Sequence, residues 1–436
     1  MFPLVSYFWF FIITCAYCKN KPSFSDKLLL VYCIIKQISI YFLMNFTKTF
    51  FNTFLLYFCV YNKQVSNFRY VIHKTQLIIR IQNNTKGYFY CMNKKTSDSN
   101  RIIYFDILNI FACFAVIFLH HNGIVHNFSN TLAWKESLVI ECGFYWAVPI
   151  FLMLSGANLM NYRSKYNTAT FFKKRFMRTV IPWLLWSFLI LLWKCKVKNF
   201  TLESHSVRYL FDLIVNNKIM PIYWFFGALF ACYLAIPVFS LLLENKKILW
   251  YIVILNFTFA SCLPLLNMWF GVSWGLDIPV VGSLIIYILL GYLISVQNFS
   301  PGMRIIIYIS GICGFLFRFI YTYIFSMQKG ETDTTIKGYV MFHAVFLSIA
   351  VFEAAKNIPW SRFLPDRFLS KLSAISSCSF GIYLIHPVIM YYEKQIFHMS
   401  ASRHVWRFGF VFCTYLISFF IVCLIKKIPI IGKYLC

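Results

Sequence analysis

Long apolar segments recur along this chain, and they constrain its fold more than any other feature. A bilayer-spanning helix needs about 20 mostly apolar residues, and about ten segments approach this length. They lie near residues 105–125, 141–161, 179–193, 221–243, 248–265, 278–296, 303–325, 338–355, 376–393 and 406–425. Charged residues make up 13% of the chain, against about 25% in soluble domains. The sequence therefore predicts an all-α, polytopic integral membrane protein.

The first 91 residues fit this pattern least well. Their apolar pieces are interrupted by polar residues, and the stretch from Asn62 to Lys86 is neither strongly apolar nor patterned. A short basic leader begins at Met92, directly before the first clear segment. We predict that the native protein starts there, with residues 92–436 as the membrane domain. Residues 1–91 are then upstream sequence, or alternatively extra membrane segments.

The distribution of Lys and Arg predicts the orientation. With the leader inside, the inside loops and tail carry about 19 cations and the outside loops about 11. Cytoplasmic loops are the ones enriched in these residues. The expected topology has both termini inside. The abundance of Phe, Tyr, Ile, Asn and Lys is typical of AT-rich coding and indicates a bacterium, so we expect the cytoplasmic (inner) membrane.

The formal net charge of +27 raises the possibility of nucleic-acid binding. However, no basic run has the aromatic interleaving or fold pattern of a nucleic-acid module. The fifteen cysteines lie mostly within apolar runs and lack paired zinc-like spacings. We interpret them as small hydrophobic side chains. We expect neither a nucleic-acid partner nor a metal site.

The first segment, Arg101 to Val125, carries Asp106, Asn109 and His120 on one helical face, because their spacings correspond to whole turns. Ionisable groups inside a span are costly and usually line a site. A neutral His120 can take a proton from a hydroxyl and return it, with Asp106 in a positioning role. A histidine satisfied by a neighbouring helix remains the alternative. His121 points about 100° away and is expected at the interface.

The second segment ends in VPIFLMLSGANLMNY, where Ser155 and Gly156 interrupt large apolar residues. Small residues let helices or a ligand approach closely. We favour packing here, with Ser155 as a candidate substrate-binding residue. Glu141, which opens this segment, is expected to be an interfacial anchor.

Basic residues precede the third segment in FFKKRFMRTVIPW. Arg175 and Arg178 share a helical face, and arginine binds phosphate with bidentate geometry. They are candidates for holding a phosphate-rich cytoplasmic donor. Charge that sets topology is the alternative explanation.

The ninth segment contains SCSFGIYLIHPVIMYY, in which Ser379, Tyr383 and His386 share one face. Tyr383 and His386 are candidates for binding the acceptor. The segment from Tyr223 to Pro237 is rich in aromatic residues and typical of an interfacial belt.

Together these motifs resemble the acyltransferase family 3 membrane proteins, which O-acylate bacterial surface polysaccharides and related glycans. The resemblance spans about Arg101 to Ile425 and rests on DILNIFACFAVIFLH, PIFLMLSG, RFMRTVIP, WFFGALFACYLAIP, YILLGYLI and SFGIYLIHP. The family pattern has a basic residue, ten further residues and then an essential histidine. His120 matches that histidine, but Asn109 stands at the basic position, so the resemblance gives Asn109 no catalytic role.

The resemblance implies an inner-membrane O-acyltransferase of the stand-alone type, without a fused hydrolase-like domain. It would take an acyl group, acetyl from acetyl-CoA being the first expectation, and deliver it to a glycan or lipid-linked sugar hydroxyl. Acyl-CoA would be a donor substrate, and no permanently bound cofactor is expected. A transporter or glycan flippase using the same intramembrane groups remains an alternative, as does an inactive relative.

Overall fold

The computed structural model describes residues 102–204, 206–271, 278, 281–282, 284–428, 432 and 434–435. Within these residues every regular element is helical, so the predicted all-α class is confirmed. The proposed N-terminal extension and the proposed start at Met92 lie outside the described residues.

The helices follow one another with short connections. They are α1 Ile103–His121, α2 Leu132–Gly143, α3 Ala147–Leu159, α4 Thr168–Arg175, α5 Ile181–Val197, α6 Val207–Val215, α7 Trp224–Phe239, α8 Lys246–Asn256, α9 Leu263–Phe270, α10 Ile285–Val296, α11 Pro301–Lys329, α12 Phe342–Asn357, α13 Asp366–Ser376, α14 Ser379–Phe397 and α15 Phe410–Lys427. Three π-helical turns occupy Phe176–Val180, Phe257–Cys262 and Val405–Gly409.

Seven helical runs in the described part are long and apolar enough to cross a bilayer. They are Ile103–His121, Leu132–Ser164, Thr168–Val197, Pro221–Leu242, Lys246–Leu265, Pro301–Lys329 and Val405–Lys427. The pair α13 and α14, bent by 68°, makes an eighth candidate if it is counted as one span. The chain is a multi-pass membrane protein.

Two predicted spans are shorter than expected. Helix α10 has 12 residues and α12 has 16, which at 1.5 Å per residue gives about 18 and 24 Å. The hydrocarbon core of a bilayer is about 30 Å thick. Every predicted segment overlaps a helix, but the total of ten spans and the inside location of both termini stay predictions.

Glycine brings α3 and α10 into backbone contact. A Cβ atom added at Gly156 would lie 2.0 Å from the Ile288 carbonyl oxygen, and one added at Gly291 would lie 2.0 Å from the Met153 carbonyl oxygen. Neither position has room for a larger residue, so these glycines set the separation of the two helices. The packing role predicted for the small residues after Pro149 is thus visible at Gly156.

Helix α1 packs against many of the other helices. It contacts α3, the bent pair α13 and α14, and α15. Asp106 lies in its first turn, where a carboxylate is favoured by the helix dipole. At its other end the Asn122 side chain donates a hydrogen bond of 2.8 Å to the Ser137 carbonyl. The polar groups of α1 are therefore held among neighbouring helices.

Candidate active site

Two histidines from distant parts of the chain meet inside the helix bundle. His120 Nδ1 lies 2.7 Å from His386 Nε2, and the two rings are parallel, with centroids 4.9 Å apart. His386 is fully buried, whereas His120 is partly accessible. Helix α1 supplies one ring and α14 the other, so two separately predicted site residues form one pair.

The hydrogen bonds around this pair determine where the protons sit. His386 Nδ1 is 2.7 Å from the Tyr383 carbonyl oxygen and 3.3 Å from that of Ile382. Carbonyl oxygens only accept, so Nδ1 of His386 carries a hydrogen. In a neutral His386 the Nε2 atom is then an acceptor, and His120 Nδ1–H donates to it. The lone pair of His120 is left on Nε2, the nitrogen that faces away from His386.

Helix α14 is fixed by tyrosines on both sides of this contact. The Tyr223 hydroxyl donates a 2.7 Å hydrogen bond to the Leu384 carbonyl, and the Tyr383 hydroxyl donates to the Ile222 carbonyl. Tyr223 is 1% exposed. Its predicted place in an interfacial belt is therefore wrong, because its hydroxyl satisfies a carbonyl next to Pro387. The tyrosines hold the segment that carries His386.

A cavity of about 940 Å³ opens beside the first turns of α1. It is lined by five residues predicted for the site or its face, namely Asp106, Asn109, Ser155, Arg175 and Arg178, and by Tyr383. Lys165, Tyr233, Ser376 and Ser379 add further polar groups. Ligand pockets are commonly about 300–1,000 Å³, so this cavity can take a large, polar, anionic molecule.

The two arginines reach the cavity around a π-helical turn. Arg175 ends α4, and Arg178 lies within the turn Phe176–Val180. The guanidinium of Arg175 lies 5.9 Å from the ring centroid of Tyr233, and the Thr179 hydroxyl donates to the Arg175 carbonyl at 2.7 Å. Such turns are frequent at functional sites because they re-aim side chains within a helix.

Tyr383 connects the cavity with the histidine pair. Its side chain lines the cavity, and its carbonyl accepts the hydrogen bond from His386. His386 follows it by three residues, about 4.5 Å along the helix axis. The predicted shared face of Tyr383 and His386 thus leads from the cavity to the pair.

Asn109 binds the break in the α13 and α14 pair. Its Nδ2 donates at 2.9 Å to both the carbonyl and the hydroxyl oxygen of Ser376. One turn further along α1, the Cys113 thiol donates to the Ser379 carbonyl at 3.4 Å. The amide that stands at the family's basic position is therefore used to hold a bent helix.

His121 is not interfacial, which corrects the prediction. It is fully buried, with Nδ1 3.1 Å from the Trp406 carbonyl oxygen and Nε2 2.8 Å from the Thr414 hydroxyl. That hydroxyl donates in turn to the Glu393 carboxylate. Because the residues after His121 fold back over α15, its ring enters a second polar network behind His120.

Glu141 also departs from the prediction of an interfacial anchor. Its carboxylate lies 3.4 Å from Nη2 of Arg318, a residue that is 4% exposed. The Arg318 guanidinium stacks on the Tyr145 ring, 3.2 Å from its centroid. A charged pair removed from water needs such contacts, so Glu141 is a partner within the bundle.

Sequence reasoning missed Ser376, Glu393, Thr414 and Trp406. One signal was available for Glu393, because it is an acid two turns beyond His386 on the same apolar helix, and intramembrane acids usually have a purpose. No spacing connects Thr414 or Trp406 with the first segment, since they lie almost 300 positions away.

Comparison with known proteins gives one match. A family model described as an acyltransferase domain covers residues 102–426. No curated protein matches the chain. No solved structure matches it either.

Proposed function

Because this chain belongs to acyltransferase family 3, as the match over residues 102–426 shows, we propose that it O-acylates a glycan. In this proposal the donor is an acyl-CoA, most simply acetyl-CoA, and the acceptor is a hydroxyl of a cell-surface or exopolysaccharide glycan. Acyl-transfer chemistry follows from the family, whereas the site residues are assigned from the geometry. The membrane is the bacterial cytoplasmic membrane, with the cavity end facing the acyl-CoA pool.

The cavity suits the donor's charge. Lys165, Arg175 and Arg178 line it, and planar guanidinium groups match phosphate oxygens with paired hydrogen bonds. Tyr383 and the phenylalanines Phe225 and Phe226 line it as well, which gives the acyl arm an apolar path toward α14. Asp106 orients polar groups of the donor at the mouth.

His120 acts as the general base. The acceptor hydroxyl gives its proton to the free Nε2 of His120 while its oxygen forms a bond to the thioester carbonyl carbon. The carbon–sulfur bond then breaks, and the thiolate takes the proton back from His120 to leave as a thiol. His386 accepts the Nδ1 hydrogen bond throughout and stabilises the imidazolium that forms between the two steps. Tyr383, His386 and Ser155 contribute to the lining on which the substrates rest.

One observation carries this proposal: the 2.7 Å contact of His120 with His386. A histidine merely satisfied by a neighbour would direct both nitrogens at protein groups. Here the carbonyl-bound Nδ1 of His386 leaves His120 with an unshared pair on its outward nitrogen. That is the state a general base requires. The family match favours acyl transfer over the transport that the same intramembrane groups would otherwise permit.

The test is an acyl-transfer assay on membranes containing the full chain, with labelled acetyl-CoA and isolated surface glycan. His120→Ala is expected to lower glycan-bound label by about a hundredfold or more, since general-base catalysis contributes 10²–10⁴-fold. The matched control is His398→Asn, which removes another histidine at a left-handed backbone position that asparagine tolerates. Transfer by inserted His120→Ala protein at the rate of the control would contradict the proposal.

A further inference from the structure

Three lysines gather at the end of the bundle where α1 finishes. Lys194 and Lys198 come from the end of α5, and Lys394 comes from the last turns of α14. Lys198 lies close enough to both of the others for mutual charge repulsion. None of the three forms an ion pair with a carboxylate of the described residues. We refer to Lys194, Lys198 and Lys394 as the lysine cluster.

Aromatic rings form the floor of this cluster. The Lys198 ammonium lies 4.4 Å from the ring centroid of Tyr391 and 5.3 Å from that of Trp193. Trp193 is fixed from the side, because its Nε1–H donates to the Tyr392 hydroxyl at 2.9 Å. Cation–π contacts of this kind hold an ammonium in place. The cluster is therefore a built surface on two helices and not a set of free lysines.

The cluster adjoins the histidine pair. The Lys394 ammonium lies 4.9 Å from the Trp406 ring centroid, and Trp406 packs on His121 with ring centroids 4.2 Å apart. Along α14, Lys394 follows His386 by eight residues, about 12 Å. A ligand group held by the lysines would sit a short run of sugar rings away from His120.

The positive charge at this end needs an explanation. The predicted topology puts it outside, where Lys and Arg are normally scarce. The nearest acid in the following loop is already used, since Asp212 accepts from Lys218 at 2.7 Å. Hydrogen bonds from Lys218 and Asn216 hold the pKa of Asp212 below its ordinary value. The like charges of the lysine cluster are thus left for an anion from outside the chain.

We infer that the lysine cluster binds the phosphate of a membrane-anchored, phosphate-linked glycan, which is the acceptor substrate. This inference rests on the proposed function and specifies its acceptor as a lipid-linked saccharide instead of a finished, free polysaccharide. The lipid tail would stay in the bilayer beside α5 and α14. The phosphate would meet Lys194, Lys198 and Lys394, and the sugars would extend toward His120.

Binding is tested with the full chain in phosphatidylcholine nanodiscs. The probes are farnesyl phosphate, farnesol without the phosphate, and phosphatidylglycerol. The variant Lys194→Gln/Lys198→Gln/Lys394→Gln is compared with Lys246→Gln/Lys247→Gln/Lys337→Gln, which removes equal charge from exposed lysines elsewhere. We expect the first variant to lose farnesyl phosphate affinity by about tenfold or more, with farnesol binding and the control unchanged.

Transfer kinetics add a readout that a merely structural role would not move. With a lipid-phosphate-linked saccharide, the cluster variant should raise KM for the acceptor and leave kcat unchanged. With a phosphate-free oligosaccharide it should match the wild type.

Unchanged farnesyl phosphate affinity, or equal loss for phosphatidylglycerol, would overturn the inference, the latter by making the cluster a phospholipid headgroup site. Failure of the wild type to acylate any glycan would instead refute the proposed function, and the binding experiment would still decide the site.

Discussion

His120 keeps its proton on Nδ1 because His386 has only one nitrogen free to accept it. The carbonyl groups of Ile382 and Tyr383 occupy the other nitrogen. Proline at position 387 sits in the same helix, and its missing N–H frees the Tyr383 carbonyl from its usual helical partner. One imino acid thus gives His386 its acceptor, and His386 gives His120 its reactive nitrogen.

This arrangement predicts a graded loss when His386 is replaced. His386→Ala should lower kcat by about ten- to a hundredfold, because a hydrogen bond to a charged group is worth about 1.5–3 kcal/mol. His120→Ala should cost more, since it removes the base itself. The measurement is kcat at saturating donor and acceptor, for both variants side by side. Equal losses would mean that His386 itself touches the reacting atoms.

Several single residues could be predicted from the sequence, and others could not. The spacing of Asn109 and His120 placed both on one face, and both do contact the α13 and α14 pair. Their separate partners were beyond reach, because pairing across more than 260 positions leaves no local pattern. His121 was misplaced for a similar reason. A rotation of 100° indicates where a side chain points but not which helix covers it.

At the scale of helices, close packing of α3 on α10 determines the depth at which the cavity closes. Both glycines of this contact lie in motifs that the sequence made conspicuous, and Ser155 precedes one of them. The short length of α10 was not predictable, because apolar residues continue beyond its start and hydropathy does not register where a helix begins. The 68° bend between α13 and α14 likewise falls within a run of small polar residues that reads equally well as a straight helix.

Gly291→Ala should destabilise the protein by about 3 kcal/mol, at the upper end for overpacking, because the new methyl would meet the Met153 backbone. Gly227→Ala provides the control, since nothing lies within 4 Å of a Cβ atom there and alanine favours a helix. Thermal unfolding of the two purified variants in the same detergent measures the difference. Equal midpoints would show that α3 and α10 can separate without cost.

At the scale of the whole molecule, the cationic cavity and the lysine cluster lie toward opposite ends of α1. The donor arginines belong to the end where α1 begins, and the histidine pair lies about 16 Å further along its axis. Composition and loop charges were enough to predict a multi-pass helical protein. They could not decide the number of spans, because a short helix and a bent pair satisfy packing without satisfying a length rule.

This polarity predicts sided chemistry. Acetyl-CoA does not cross membranes, so it should support transfer only in vesicles that expose the cavity end, which the predicted topology assigns to inverted vesicles. Arg175→Gln/Arg178→Gln should raise KM for acetyl-CoA by about tenfold or more, through lost charge-assisted hydrogen bonds. Arg208→Gln, at the other end, is the control.

Right-side-out vesicles that use external acetyl-CoA as well as inverted ones do would reverse the assigned orientation. An unchanged KM in the double arginine variant would move the donor phosphates elsewhere.

The two contacts that α1 makes with the bent pair also govern how this gene can tolerate insertions and deletions. Asn109 and His120 meet Ser376 and His386, two positions that keep nearly the same spacing on the partner. One residue added to α1 between them would swing His120 by about 100° and leave Asn109 in place. Length is therefore fixed in this stretch as strictly as composition, and variants of different length should survive only when both helices change together.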